Sequence, residues 1–243
     1  MLWFENDDFW RTFYPWMFHE RRFAGAETEV DGVIALSGVE QGAVLDLCCG
    51  PARHSLALSK KGFRVTAVDA SEFLLGKARE RAEGSPIEFV RSDMRAFRRE
   101  DSFDLAINLF TSFGYFEDRA EDLRVLENVH ASLKKGGVFI MDVMGRECVA
   151  RLPCSTAWEQ SPDGDIWIDH AEILPGWSNI RTQWLLVKPD RTLRYELQLN
   201  LYSGQELSDA LTRAGFSDVQ IFGSLNGTPY DRTATRLAVR AVK

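Results

Sequence analysis

The chain of 243 residues carries 29 Lys+Arg against 36 Asp+Glu, a formal net charge of −7, with 45% hydrophobic and 27% charged residues. That composition is globular and excludes wholesale disorder, and the length fits one core domain with an elaboration better than two independent domains. The acid surplus, without any block of Lys and Arg, argues against nucleic acid as the main partner. No apolar run approaches the roughly 18 residues of a membrane span, so no membrane partner is expected. The start, MLWFENDDFW, lacks the basic region and apolar stretch of a signal peptide, which makes the cytoplasm the expected compartment. Cys48, Cys49, Cys148 and Cys154 fit neither a disulfide framework nor a metal-ligand spacing and are read as free thiols, with no metal site.

Eight aromatics fall within the first 18 residues. Trp10, Phe13, Tyr14 and Met17 share a helical face, and Pro15 is expected to break that helix and begin a second. Residues 1–42 therefore read as an N-terminal helical segment, either docked on the core or forming a flap over a ligand. From 43 to 143, short apolar runs at 43–47, 63–68, 87–90, 103–108 and 138–143 read as buried strands. Between them 53–61, 71–82 and 121–133 read as helices, with Ser71 as an N-cap and Gly62 and Gly136 at helix ends. This alternation predicts a Rossmann-like α/β domain, 43–243, with a seven-stranded mostly parallel sheet and helices on both faces. An antiparallel β insertion over about 155–201 interrupts it, with strands at 158–160, 166–173, 178–187 and 191–201 joined by Pro/Gly/Asp turns. A helix at 203–214 and a hairpin of 219–223 with 236–242 complete the fold.

The segment from Val44 to His54 runs from a strand into a tight small-residue turn and a helix. In an open α/β sheet this is where ligands bind. Gly50 permits close approach of a ligand, and Asp46 offers a carboxylate to a cationic group. Asp69 ends the second strand, about 20 residues on, where an acid accepts both hydroxyls of a ribose. Asp93 and Met94 follow the third strand and suit the amino edge and the face of an adenine.

DLCCGPARH, AVDAS, SDM and NLFTSFGYF, in that order, resemble the four cofactor motifs of the class I S-adenosylmethionine-dependent methyltransferases. The resemblance implies that Asp46, Cys48 and Gly50 hold the methionine part of the cofactor, and that Asp69 with Ala70 binds the ribose. It further implies that Asp93 and Met94 frame the adenine, that Asn108 and Leu109 line the face where the methyl group meets the substrate, and that Arg22 pairs with the cofactor carboxylate. Cys48 and Ala52 depart from the family, standing where many members have glycine. Phe113, Tyr115 and Trp184 are the expected substrate contacts. His170, Glu172 and Tyr115 are the candidates for a catalytic role, with His19 and Tyr230 further polar groups, and no motif identifies any of them. His130 reads as structural. The implied activity is methyl transfer to an O or N atom of a small-molecule acceptor. Two alternatives stand beside it: a protein that binds S-adenosylmethionine without transferring, and an NAD-dependent oxidoreductase, the latter opposed by the absence of G-x-G-x-x-G. The acceptor and the oligomeric state are not legible in the sequence.

Overall fold

A computed structural model describes residues 2–152 and 156–243; Cys154 lies outside them, while Cys48, Cys49 and Cys148 are free thiols. The main sheet is built from β1 (Ala43–Leu47), β2 (Arg64–Asp69), β3 (Ile87–Arg91), β4 (Phe103–Asn108), β5 (Leu133–Val143), β10 (Ser217–Phe222) and β11 (Leu237–Val242). Its order is β10-β11-β5-β4-β1-β2-β3, with β11 antiparallel to β5 and β10, and β1 to β5 mutually parallel. The chain moves from β1 outward to β2 and β3, then returns to β4 on the other side of β1. That reversal opens a crevice at the carboxyl ends of β1 and β4.

Helices α3 (Arg53–Lys60), α4 (Glu72–Arg81), α5 (Arg119–Ser132) and α7 (Gly204–Arg213) connect these strands. Their ends follow ordinary capping chemistry: Ser71 Oγ accepts from Leu74 N, and Ser203 with Glu206 forms a capping box on α7. The strands of the parallel part are buried on both faces: Val44, Leu45, Ala67, Leu105 and Ile107 are fully enclosed, as their nearly unbroken apolar sequence requires. Gly136 differs from its expected role. It lies inside β5, four residues past the end of α5, at φ 78°, where β5 begins with an irregular stretch before pairing regularly with β4 from Val138 onward.

Two helices precede β1: α1 (Asp7–Met17) and α2 (Glu20–Ser37). Pro15 does not break α1. It sits in the last turn, so its missing N–H forfeits one bond, and the helix continues only two residues before stopping at Phe18. The second helix starts at Glu20, not at the proline. Phe9 and Phe13 on α1 are completely buried, and Phe13→Ala is expected to cost about 3–5 kcal/mol of stability.

A short helix, α6 (Arg146–Val149), leads into a second, four-stranded antiparallel sheet of β6 (Thr156–Gln160), β7 (Ile166–Ile173), β8 (Asn179–Val187) and β9 (Thr192–Asn200). Phe9 stacks on Trp184 at 5.4 Å, and Phe13 meets Trp184 and Tyr195 edge-on at 5.0 and 5.5 Å. Helix α1 therefore joins the insertion to the main domain through aromatic packing.

Candidate active site

The turn from β1 to α3 forms the floor of a cleft. Three consecutive backbone features shape it: Cys48 at φ 62°, Gly50 at φ 54° and Ala52 at φ 64° are all left-handed. Only Gly50 adopts this conformation without steric cost, so the two departures from glycine noted in the sequence are strained positions. Asp69, at the end of β2, holds the turn in place. Its Oδ2 accepts from Gly50 N at 2.8 Å and its Oδ1 from Ser71 N at 2.9 Å. Burial outweighs those two bonds and raises the Asp69 carboxyl to about 6.

Cys48, Gly50, Asp69, Ala70, Asp93, Met94 and Leu109 all line this cleft, so most of the residues singled out in the sequence converge. Cys48 Sγ lies 3.5 Å from Met94 Sδ. Asp93 is already engaged: Arg95 binds both of its carboxylate oxygens, at 2.9 and 2.6 Å, and the Arg95 backbone N–H donates to Oδ1, which together hold its carboxyl below the ordinary value against the opposing effect of burial. Acceptor capacity remains on the carboxylate for one further donor.

Two expected members stand behind the cleft wall instead of lining it. Asp46 is buried under the turn and accepts from Ser55 Oγ in the first turn of α3; desolvation raises its carboxyl. It supports the turn from beneath. Asn108 donates to Leu47 O and Ser112 O, tying the end of β4 to β1, while its buried Oδ1 has no hydrogen-bond partner among the described residues.

The cleft is covered by the aromatic N-terminus. Phe4, Trp10, Met17 and Phe18 line it from above, and a Cβ on Gly50 would lie 3.6 Å from the Phe18 ring. The space left is about 90 Å³, against the 300–1,000 Å³ usual for ligand sites. Tyr115, read in the sequence as a substrate contact, lines this cleft: it packs on Trp3 and Phe4 at 4.8 and 5.4 Å, and burial pushes its phenol above the ordinary range.

A second cavity, of about 830 Å³, lies between the main domain and the small sheet. Met17 and Phe110 line both cavities, so the two meet there. The junction is built with care for backbone strain. Phe110 and Thr111 lie at φ 64° and 60°, and Asp142 at the end of β5 accepts from both amides, from Phe110 N through Oδ1 at 2.6 Å and from Thr111 N through its carbonyl at 3.0 Å. Arg236 clamps the arrangement by donating to Asp142 Oδ2 and to Thr111 Oγ1. The guanidiniums of Arg22 and Arg53 stand over the Phe110 ring at 4.5 and 4.8 Å.

Arg22 lines the larger cavity beside this junction, not the cleft. Desolvation and its neighbours Arg53 and Arg236 pull its pKa below the ordinary value. Arg53 and His54 both engage Glu29 of α2, which fastens that helix to the turn after β1. Sequence reasoning missed this cluster because its members lie on different elements.

Phe113 and Trp184 line the larger cavity. His170 and Glu172 do not. Both are exposed on the outer face of β7, His170 paired with Thr156 Oγ1 and Glu172 with Arg181, because side chains alternate along a strand and Trp167 takes the inward phase. The same alternation puts Asp169 inward, a residue overlooked in the sequence although its phase with Trp167 marks it. Trp158 and Trp177 are also outward, at 69% and 45% exposure, so only part of the insertion's aromatic content faces the cavity. His130 packs edge-on against Phe216 and is structural. Tyr230 donates to Glu147, away from both cavities, while His19 lines the larger one.

Comparison with known proteins agrees with this geometry. A family model described as a methyltransferase domain matches residues 44–137. YqeM of Bacillus subtilis (strain 168), a candidate methyltransferase, is 34% identical over 127 residues, covering 51% of each chain, so the match spans about half its length. The malonyl-[acyl-carrier protein] O-methyltransferase of Salmonella typhimurium (strain LT2) is 30% identical over 205 residues, 76% of each chain. The sugar N-methyltransferase KedS8 of Streptoalloteichus shares the fold at a TM-score of 0.72, with 18% identity, over 98% of this chain and 92% of that one. With the motifs converging on one cleft and similarity extending well past the cofactor motifs, the chain belongs to the class I S-adenosylmethionine-dependent methyltransferases.

Proposed function

We propose that this chain transfers a methyl group from S-adenosylmethionine to an oxygen or nitrogen atom of a small-molecule acceptor. The observation that carries the reading is the meeting of two cavities at Met17 and Phe110: one lined by the cofactor motifs, the other large, mostly apolar and enclosed by the small sheet.

The residues fit the cofactor. Asp69, its carboxyl raised to about 6 by burial, suits a pair of ribose hydroxyls that would donate to it. Met94 offers a flat apolar surface and Asp93 an acceptor for an adenine amino group. Arg22, with no ion pair among the described residues, suits the cofactor carboxylate. When bound, S-adenosylmethionine supplies a methyl group on a positively charged sulfur. The protein's task is then alignment and exclusion of water: the left-handed Phe110–Thr111 corner, held by Asp142 and Arg236, fixes the wall between donor and acceptor. Neither His170 nor Glu172 reaches the cavity, whereas His19, Glu159 and Asp169 line it and are the groups available to take a proton released by the acceptor.

The N-terminal residues Phe4, Trp10, Met17 and Phe18 act as a flap, since the cleft they cover is too small for a nucleoside until they move outward. The acceptor is a metabolite-sized compound and not nucleic acid, because Lys and Arg are outnumbered and scattered in ion pairs with acids.

Calorimetry with S-adenosylmethionine, S-adenosylhomocysteine and NAD tests the cofactor assignment, with binding expected for the first two and none for NAD. Release of S-adenosylhomocysteine on adding a metabolite extract separates an enzyme from a protein that only binds. Binding of NAD, or no product release with any extract, would refute the reading.

A further inference from the structure

We propose that the larger cavity selects a cationic acceptor, an amine carried on an apolar or aromatic body, and that Asp169 is the residue that selects it. This deepens the reading of the cavity as the acceptor site and rests on it.

The inner face of the small sheet is almost wholly apolar. Trp167, Ala171, Ile173, Ile180, Trp184, Leu197 and Leu199 line the cavity with Thr182, and Asp169 stands in the middle of them. Its cross-strand neighbours are Ala157 on β6 and Trp184 on β8. Ala157 and Ala171 leave room in front of the carboxyl, while Trp167 and Trp184 rise beside it. No Lys or Arg stands on this face, because Arg181 and Arg194 belong to the outer phase, bonded to Glu172 and Gln183. Asp169 makes no ion pair among the described residues, and its buried Oδ1 has no hydrogen-bond partner. The indole nitrogens of Trp167 and Trp184 are likewise buried without partners. A half-buried carboxyl in apolar surroundings is unfavourable, and desolvation raises its pKa against the lesser opposing effects of the Trp184 indole and of His170.

Nothing in the fold uses this charge. It caps no helix and anchors no loop, unlike Asp69, Asp122 or Asp142, and the neighbouring donor that bears on it, the Trp184 indole, lies beside it outside hydrogen-bond geometry. A ligand ammonium supplies what is missing: a donor for the carboxylate and a cation for the faces of the surrounding tryptophans. Glu159, at the exposed rim of the same cavity, adds a second negative charge. The positive groups Arg22, Arg236 and His19 lie at the opposite end, beside the junction with the cleft, and Arg236 is neutralised by Asp142.

The test uses the full chain and two probes of one skeleton, 3-phenylpropylammonium and 3-phenylpropan-1-ol. Tryptophan fluorescence reads occupancy, since Trp16, Trp167 and Trp184 line the cavity. Wild-type protein is expected to bind the ammonium at least about tenfold more tightly than the alcohol. Asp169→Asn, nearly isosteric, should lose that preference by weakening the ammonium about 10- to 100-fold while leaving the alcohol unchanged, which also reports an intact cavity. Asp169→Glu should keep the preference. Equal affinities in the wild type, or an undiminished preference in Asp169→Asn, would overturn the proposal. Release of S-adenosylhomocysteine is measured separately: cation preference without methyl transfer supports the site while removing the transferase reading, and transfer without cation preference does the reverse.

Discussion

Cofactor affinity should be linked to a proton on Asp69. Its carboxyl is enclosed at the end of β2, receives the amides of Gly50 and Ser71, and is raised to about 6 from an ordinary value of 3.8. Ribose hydroxyls donate more strongly to its ionised form, so binding favours the deprotonated cleft. Affinity for S-adenosylhomocysteine is then expected to be flat above about pH 7 and to fall below about pH 6, by about tenfold between pH 7.5 and pH 5. The sign for stability is opposite. A carboxyl raised in the folded state favours folding while it is protonated, so its contribution is full below about pH 4 and is lost as pH rises through 6. Asp69→Asn removes the titration but puts an amide N–H₂ against one of two backbone donors, leaving a buried N–H unpaired at a cost of about 1–3 kcal/mol. The assay is isothermal titration calorimetry across pH in buffers of different ionisation enthalpy, with proton release expected near pH 6 for the wild type alone. An affinity that does not change between pH 5 and 7.5, or an Asp69→Asn variant with wild-type affinity and pH profile, would refute the ribose assignment.

Three further outcomes follow from the geometry. Ala52→Gly removes a left-handed alanine from the turn after β1 and should raise the urea midpoint by the equivalent of about 0.5–1 kcal/mol, the relieved strain exceeding the added chain entropy; an unchanged or lower midpoint would show that the turn carries no strain. Amide hydrogen exchange of residues 8–23 should change on cofactor binding, because Met17 and Phe18 must move for the cleft to fill and then settle over the ligand; identical exchange with and without cofactor and acceptor would mean a fixed core element. Tyr115→Ala should weaken cofactor binding, since the ring packs in the cleft's cover, whereas Trp184→Ala should raise the acceptor KM with cofactor affinity retained; the reverse pattern would exchange the two cavities' roles.

The fold was legible because its strands are short apolar runs bounded by helix caps: β1 and β4 begin and end where the pattern placed them, and Ser71 caps α4 as its hydroxyl and position suggested. The convergence of Cys48, Gly50, Asp69, Asp93 and Leu109 on one cleft was legible for a related reason, since residues at the ends of consecutive parallel strands must converge. Two kinds of information were not in the pattern. One is depth: Asp46 and Asn108 sit at the right strand ends, yet one lies under the turn and the other behind the wall, because each found a hydrogen-bond partner on a neighbouring element. The other is phase. His170 and Glu172 carry suitable chemistry but share the outer face of β7, while Asp169, one residue away, faces the cavity with Trp167. Contacts between distant segments, such as Glu29 with Arg53 and His54, or Asp142 with Arg236 around Thr111, leave no local trace in the sequence.

Methyl transfer to a small molecule is tested most directly by following the methyl group itself. The purified chain is incubated with methyl-labelled S-adenosylmethionine and a cell extract containing both metabolites and nucleic acid, and the labelled products are separated by size. Label is expected in metabolite-sized compounds, in step with S-adenosylhomocysteine released and insensitive to moderate salt. Label confined to nucleic acid and abolished by salt, or no label transferred to any fraction, would contradict it.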